Sequence, residues 1–159
     1  MLGEIGDWPP ELLGLRPALD SWSALAVLDH VVRTETEIAR SVMKSLDSPI
    51  TVPLRDRLGG LMIEGIFLSP LRVKVPGTVT VVLPGPDLEL DEIVARWVMA
   101  RQTIPRLTEE CTIRGVRGGV FRHPVSGWMN WEQVLRFFCA HLVHHQYQLK
   151  RIRKSLAAV

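Results

Sequence analysis

An apolar stripe near the C-terminal end of the chain, with two histidines inside it, is the sequence feature that most restricts the fold. Its members follow one another at steps of four and three residues, the period of one helix face: Val134, Phe138, His141, His145, Gln148 and Ile152. The stripe predicts a helix of about 28 residues that turns this face toward a core. Asn130, with Gln133 three residues later, has the pattern of a capping box that begins the helix.

Three further long helices are predicted from the spacing of apolar residues. They run from a cap at Asp20 or Ser21 to about Leu46, from about Pro53 to Leu68, and from about Leu88 to Glu110. One face of the second helix is formed by Leu54, Leu58, Leu61 and Gly65. In the third, Pro105 is expected to kink the helix near Gln102 or to end it at Ile104.

The segments that connect these helices are predicted to be loops. Residues 8–20 form a lead-in with room for a short helix, residues 69–89 are rich in proline, and residues 111–128 are rich in glycine. Val79–Leu83 is a β-branched run without a partner strand, so we expect it to be extended but not part of a sheet. The predicted fold class is therefore all-α: one domain over residues 1–159, folded as a four-helix bundle whose long loops leave room for a crossover connection.

Composition excludes several classes of protein. The chain has 159 residues, of which 47% are hydrophobic and 23% charged, as in an ordinary globular protein. The net charge of +2 is too small to favour nucleic acid or an anionic membrane as a partner. No apolar run reaches the roughly 18 residues of a membrane span, and the first residues do not have the pattern of a signal peptide. Cys111 and Cys139 are predicted to be free thiols of a cytoplasmic protein.

The histidines of the last helix are the main candidates for chemistry. His141 and His145 are four residues apart, which places their Cβ atoms about 5–6 Å apart on one helix face. Two imidazoles at this spacing can converge on one metal ion at about 2.0–2.1 Å. His144 projects roughly 60° from His141 and 100° from His145, so it is a poorer partner for either. The alternative is a pair of core histidines satisfied by hydrogen bonds, without a metal.

A stable metal site needs a third ligand, because two are too few. The candidates are His30, His123, Glu64 and the two cysteines. His30 is the best placed, since it lies between Val27 and Val31 on the core side of the first long helix. His123 lies beside Pro124 in a loop, where a surface or gating role is equally plausible. Cys139 projects about 200° away from His141 and is not expected to be a ligand.

A site of His30, His141 and His145 would leave coordination positions open, as catalytic zinc sites do. Three neutral imidazoles suit zinc or nickel best, with iron or manganese as alternatives. The last helix has no glutamate directly after His141, so it is not a metalloprotease helix of the His-Glu-x-x-His kind.

Two stretches of the sequence resemble motifs of the DinB/YfiT-like family. Trp22-Ser23 followed by His30 resembles the motif of that family's first helix. The other stretch resembles the motif of its last helix and consists of Phe121-Arg-His-Pro-Val-Ser-Gly127, Trp131, His141, His145 and Gln148. The two together span most of the chain in the order that the family has.

The resemblance implies a four-helix bundle with a long crossover and a metal ion held by His30, His141 and His145. It also implies a homodimer, with nickel or zinc as the frequent metal. Characterised relatives include enzymes that depend on a thiol cofactor, namely bacillithiol transferases and a mycothiol-dependent isomerase. The family's name reflects induction by DNA damage and implies no polymerase activity. Residues 69–89 match no substrate-binding element, so the resemblance does not specify the reaction.

Two functional hypotheses follow. In the first, the chain is a metal-dependent transferase or hydrolase that acts on a small molecule, with a low-molecular-weight thiol or water as the nucleophile. Glu35, Glu64 and His123 are then the candidates for a general base. In the second, the chain is a non-catalytic metal-binding bundle with a structural or stress-related role. Because a purely structural site normally has a fourth protein ligand, the enzyme is favoured.

Overall fold

The computed structural model describes residues 1–74 and 79–157, and these residues are mainly helical. The elements, in chain order, are α1 (Leu2–Ile5), α2 (Pro10–Leu13), α3 (Ala24–Ser45), α4 (Leu54–Phe67), a 3-10 helix (Thr80–Val82), α5 (Leu90–Ile113), β1 (Gly119–His123), β2 (Gly127–Asn130) and α6 (Trp131–Leu156). The four predicted long helices are thus present as α3 to α6, and the helical class is confirmed. No helix within the described residues is both long and apolar enough to cross a membrane.

Helix α6 begins as the sequence predicts. The side chain of Asn130 accepts a hydrogen bond from the backbone of Gln133, and the side chain of Gln133 accepts one from the backbone of Asn130. The cap of α3 is not the predicted one. Ser23 caps the helix by accepting from Ala26 N at 3.2 Å, because the hydroxyl of Ser21 is engaged in a local turn with Ala18.

Helix α5 continues through Pro105 to Ile113, so the prediction that it could end at Ile104 is wrong. Pro105 itself is exposed, and its ring therefore does not press on the core. Ala100 before it and Leu107 after it are both buried, so the two parts of the helix are held against the core on either side of the proline. Tertiary packing outweighs the loss of one helical hydrogen bond here.

The prediction of a sheet-free chain is wrong in one segment. Within residues 111–128, predicted to be a loop, β1 pairs with β2 in an antiparallel hairpin, with Phe121 opposite Met129. Asp56 on α4 fastens this hairpin, because its carboxylate accepts from Trp128 N at 2.9 Å. The predicted extended run Val79–Leu83 contains the 3-10 helix instead. The lead-in of residues 8–20 contains one short helix, α2, and a second short helix, α1, precedes it.

Helix α4 presents an unexpected face to solvent. Its buried residues are Asp56, Gly60, Ile63 and Phe67. The face that the sequence pattern singled out points the other way, and three of its residues, Leu54, Leu58 and Leu61, are exposed by 72%, 58% and 54%. Apolar periodicity on this helix therefore marks a surface as well as a core.

Two clusters of buried apolar side chains form the core. The first joins the N-terminal half of α3 to α5 and to the C-terminal part of α6, with members that include Val27, Val31, Ile93, Trp97, Leu149 and Ile152. The second joins the C-terminal half of α3 to α4, the hairpin and the N-terminal part of α6, with members that include Ile38, Ile63, Phe67, Val120, Met129, Val134 and Phe138. Buried polar residues lie at the junction of the two clusters on α3 and α6: His30, Thr34, Glu35, His141, His144 and His145. We call this set the polar belt.

Substituting alanine for Gly127 should destabilise the protein. Gly127 has φ +82°, and a Cβ there would lie 2.4 Å from Cγ of the buried Asp56. The left-handed backbone alone costs an L-residue about 1–2 kcal/mol, and the collision disturbs the carboxylate that fastens the hairpin. Urea unfolding should show a loss of at least this free energy. Gly3→Ala is the control, because nothing lies within 4 Å of its added Cβ, and equal stability of the two variants would contradict the assignment.

Candidate metal centre

The structure brings together the three histidines that the sequence singled out. One ring nitrogen from each of His30, His141 and His145 lies within 4.8 Å of the other two. The exposed fractions of the three residues are 3%, 4% and 4%, so the cluster is almost completely buried. Helix α3 supplies one ring and α6 supplies two, one turn apart.

Hydrogen bonds orient two of the rings so that Nε2 is left as an acceptor. Nδ1 of His30 lies 2.7 Å from the carbonyl oxygen of Val82, and a carbonyl can only accept, so Nδ1 donates. Nδ1 of His145 lies 2.8 Å from Oε1 of Gln148 and donates to it in the same way. Ligating histidines usually donate their other ring N–H to such a partner. The arrangement therefore presents Nε2 lone pairs toward the cluster.

The spacing within the cluster fits one metal ion. Nε2 of His141 and Nε2 of His145 are 3.0 Å apart and hydrogen-bonded, with His141 as the donor because the proton of the neutral His145 ring is on Nδ1. Two nitrogens that each lie about 2.0–2.1 Å from the same ion are separated by no more than about 4.2 Å, so this pair is already within range. The whole set lies within 4.8 Å, so a small side-chain adjustment would bring all three nitrogens within the roughly 4.2 Å that one ion allows. A divalent transition metal also suits the all-imidazole donor set.

The histidines of the cluster are held in the neutral form. Burial, together with the neighbouring imidazoles, lowers the pKa of His141 and of His145 well below its ordinary value of 6.5. Burial also lowers the pKa of His30, although the Val82 carbonyl and the charge of Asp29 act in the opposite direction. A neutral imidazole is the form that binds a metal, so protons compete weakly for these nitrogens near neutral pH.

Asp29 positions the segment that carries Val82, and sequence reasoning missed it. Its side chain is fully buried and accepts from Gly85 N at 2.9 Å and from Arg33 Nε at 2.6 Å. Arg96 of α5 lies 2.7 Å from its other oxygen. Burial alone would raise the pKa of Asp29, but these hydrogen bonds together lower it. The sequence does contain one sign of this role, since Asp29 is the only charged residue in the apolar run that precedes His30.

The first-helix motif has a structural explanation. The ring of Trp22 lies over that of His30, with centroids 4.9 Å apart. Ser23 caps α3, the helix that carries His30. One motif residue thus shields the histidine and the next fixes the start of its helix.

His144 stays outside the ligand set, as the helical projection predicts, but it is buried too. Its ring stacks on Phe67 of α4, with centroids 4.9 Å apart. Nδ1 of His144 has no hydrogen-bond partner among the described residues. The sequence pattern did not predict its burial, because that burial depends on where α4 packs.

His123 has a structural role in the hairpin. Its Nδ1 accepts from Val125 N and from Ser126 N, each at 3.2 Å, which holds the turn between β1 and β2. Burial lowers its pKa to about 4. Its ring lies 5.1 Å from that of Phe137, which in turn stacks on His141, so one aromatic ring separates it from the cluster. It is not among the three clustered residues.

The other candidate ligands and bases also lie outside the cluster. Glu35 accepts hydrogen bonds from Trp97 and Arg101 of α5, and Glu64 pairs with Arg136 at 3.5 Å. Both cysteines are free thiols, as predicted, with Cys111 buried and Cys139 exposed. Within residues 1–74 and 79–157, no carboxylate or thiol joins the three imidazoles.

Two surface pockets among the described residues lie away from the cluster. An apolar one of about 480 Å³ lies against α5, beside Trp97 and Val98. A polar one of about 370 Å³ lies between α4 and the hairpin, beside Asp56 and His123. Neither is lined by any of the three clustered histidines.

The class of protein that the structure defines is a helical protein with a buried cluster of three histidines, an arrangement compatible with metal binding. The chain belongs to the DinB superfamily: the family model of that description matches residues 1–149 of the 159. The resemblance inferred from the two motifs is thereby confirmed. Comparisons with curated proteins and with solved structures found no match.

Glu35 should make stability depend on pH in a defined direction. Burial raises its pKa above the ordinary value of 4.5, and Arg101 and Trp97 offset this only in part. As the pH rises from 4.5 through the folded-state pKa, the unfolded chain releases this proton first, so stability should fall across that interval. Glu35→Gln cannot titrate. We therefore expect the free energy of unfolding of the wild type, relative to this variant, to decline over that interval in urea unfolding at a series of pH values. Parallel curves would contradict the assignment.

Proposed function

We propose that His30, His141 and His145 hold one divalent transition-metal ion and that the chain is a metal-dependent enzyme of the transferase or hydrolase type. The observation that carries the proposal is the convergence of three buried imidazole nitrogens within 4.8 Å of one another. Zinc or nickel is the expected ion, with iron or manganese as alternatives. The substrate is expected to be a small molecule, and a low-molecular-weight thiol is the candidate second reactant.

The proposal includes a four-helix bundle formed by α3 to α6. Helix α3 packs against α5 and α6, and α4 packs against α6. This packing supports the arrangement because it sets the first long helix beside the last, where the ligands are. The segment between α4 and α5 is the proposed crossover connection.

The chain's own residues would prepare the site in two ways. Val82 and Gln148 bind Nδ1 of His30 and of His145, which leaves Nε2 of each ring as an acceptor, and Trp22 and Phe137 pack on His30 and His141. A metal ion bound by three imidazoles supplies Lewis acidity that lowers the pKa of a bound water or thiol. The lack of a fourth His, Cys, Asp or Glu in the cluster, within the described residues, supports a position for an exchangeable ligand.

A non-catalytic metal-binding role is the second candidate, and one observation favours it. All three histidines are at least 96% buried, and the pockets beside Trp97 and beside Asp56 are lined by none of them. A site that only stabilises the fold needs no path for a substrate. The two candidates share the metal and differ in turnover.

Metal binding is tested by loading and by substitution. Chelator-treated protein titrated with Zn²⁺ or Ni²⁺ should take up about one ion per chain, and the triple variant His30→Ala/His141→Ala/His145→Ala should take up none. Gln148→Leu, which loses the acceptor for Nδ1 of His145, should bind about 10–100-fold more weakly. His144→Ala and His123→Ala are the controls and should bind as the wild type does. No uptake by the wild type, or equal uptake by the folded triple variant, would refute the site.

Turnover separates the two candidates. Metal-replete and metal-free protein should be compared in a screen of low-molecular-weight thiols with electrophilic substrates, and of simple esters for hydrolysis. The enzyme predicts turnover that requires the metal and disappears in the triple variant. The binding protein predicts no turnover together with a higher Tm on loading, because the ion binds only the folded state.

A further inference from the structure

The polar pocket between α4 and the hairpin is a cavity that the metal centre does not use. Its volume is about 370 Å³, which is in the range of small-molecule sites. Gly59 of α4 allows the turn of the hairpin to come this close, because a Cβ at that position would lie 2.7 Å from the carbonyl oxygen of Ser126. One aromatic ring, that of Phe137, separates the pocket residue His123 from His141. The pocket is therefore a candidate site distinct from the metal centre.

Ser126 contributes a hydroxyl group that lacks a partner. The residue lines the pocket and is only 5% exposed. Its Oγ makes no hydrogen bond within the part of the chain that the structure describes. A buried hydroxyl without a partner costs free energy. A ligand atom that accepts a hydrogen bond from this Oγ would remove the cost, so the pocket favours an acceptor here.

His123 supplies a second donor, and the turn determines which nitrogen carries its proton. Nδ1 accepts from Val125 N and from Ser126 N, so the proton of the neutral ring is on Nε2. Burial lowers the pKa of His123 to about 4, which keeps the ring neutral near pH 7. The hydrogen bonds of this ring with described residues all involve Nδ1. Nε2 is thus an uncharged donor available to a ligand.

Two arginines make the pocket favourable for an anion. Arg55 and Arg122 both line it, and Arg122 takes part in no ion pair with the described residues. Arg55 binds Asp56 through Nε at 3.1 Å, which leaves its Nη groups for a ligand. Asp56 is the one carboxylate of the lining, and its other oxygen accepts from Trp128 N. Both oxygens of Asp56 are therefore already hydrogen-bonded.

The start of α4 acts in the same direction as the arginines. Pro53 precedes the helix and provides no side-chain cap. Arg55 and Asp56, which belong to the first turn, line the pocket. The first N–H groups of a helix carry a partial positive charge, which favours an anion near them.

We propose that this pocket binds the carboxylate of a small organic acid, at a site separate from the metal centre. Two guanidinium groups and one carboxylate leave the lining with a single excess positive charge, which one carboxylate neutralises. A phosphate group carries about −1.5 to −2 charges at pH 7 and would leave the pocket negative. In the proposed complex, the carboxylate accepts from Oγ of Ser126 and Nε2 of His123 and pairs with the two arginines.

The rest of the pocket suits an apolar body on the acid. Pro124 and Val125 of the turn and Trp128 of β2 also line it. Ligand sites typically combine apolar walls with a few polar groups that fix the orientation. An acid with a ring beside its carboxylate is therefore the expected ligand class.

Benzoate is the probe, because it combines one carboxylate with an apolar ring. Calorimetric titration of the full chain should give one site with a Kd on the order of 1 mM or below, as expected for a fragment of this size. Benzyl alcohol, which has the ring without the charge, should not bind measurably, and phenyl phosphate should bind more weakly than benzoate. The proposal is overturned if benzoate does not bind, if benzyl alcohol binds equally well, or if phenyl phosphate binds more tightly.

A second titration separates this pocket from the metal centre, since a carboxylate can also bind a metal ion. Benzoate is titrated into the metal-loaded chain, into the chelator-treated chain and into the triple variant His30→Ala/His141→Ala/His145→Ala. The same Kd in all three supports the pocket, and it would do so even if the chain took up no metal. Benzoate binding that requires the metal overturns the proposal.

Ser126→Ala tests the free hydroxyl. Benzoate should bind about tenfold more weakly, because a hydrogen bond to a charged group is lost. The Tm of the unliganded variant should not fall, since Oγ has no partner there. Thr34→Val is the matched control, because Oγ1 of Thr34 is also buried without a described partner but does not line the pocket. An unchanged benzoate Kd in Ser126→Ala, with or without a lower Tm, would show that the hydroxyl does not bind the ligand.

Arg122→Gln tests the charge. This variant should bind benzoate roughly threefold more weakly, as expected for an exposed ion pair. Arg117→Gln removes the same charge from an exposed arginine just before β1 that does not line the pocket, and it should bind as the wild type does. Equal losses in both variants would reflect net charge alone and would contradict a direct contact with Arg122.

Discussion

The burial of three neutral imidazoles at the junction of two apolar clusters is the constraint on which the rest of the structure depends. A buried polar group without a partner costs free energy, so each ring must be satisfied where it lies. Val82 and Gln148 satisfy Nδ1 of His30 and of His145. The remaining nitrogens lie close together: Nε2 of His141 and Nε2 of His145 share a hydrogen bond of 3.0 Å, and one ring nitrogen of each of the three histidines lies within 4.8 Å of the other two. Asp29 supports the same arrangement. Its carboxylate accepts a hydrogen bond from Gly85 N and thereby holds the segment that carries Val82.

The parts that sequence predicts well are those that local spacing determines. The capping box at Asn130, the face of α6 and the convergence of His141 with His145 all depend on residues within a few turns of one helix. His30 required a further step, because its helix had to lie beside α6. The apolar residues on either side of His30 identified the buried side of α3, and that was enough to choose it over His123 and Glu64.

The parts that sequence did not predict depend on contacts between distant segments. The hairpin of β1 and β2 is short and glycine-rich, and it is fastened by Asp56 from another element. His123 appears from the sequence to be a loop residue, yet the turn that it holds exists only once the hairpin has formed. Apolar periodicity on α4 marks two faces, and only tertiary packing shows that Ile63 and Phe67 point inward while Leu58 points to solvent.

The family model matches residues 1–149, and this range includes every residue of the two motifs. The structure gives those residues separate tasks: Trp22 covers His30, Ser23 begins its helix, and Gln148 orients His145. These tasks prepare a set of three nitrogens without supplying a fourth donor from the described residues. Glu35 lies five residues beyond His30 on α3, which places its side chain about 140° away from His30 around the helix axis. Its carboxylate accepts hydrogen bonds from Trp97 and Arg101 of α5, so the face of α3 that packs on α5 carries this acid, and the face that packs on α6 carries His30.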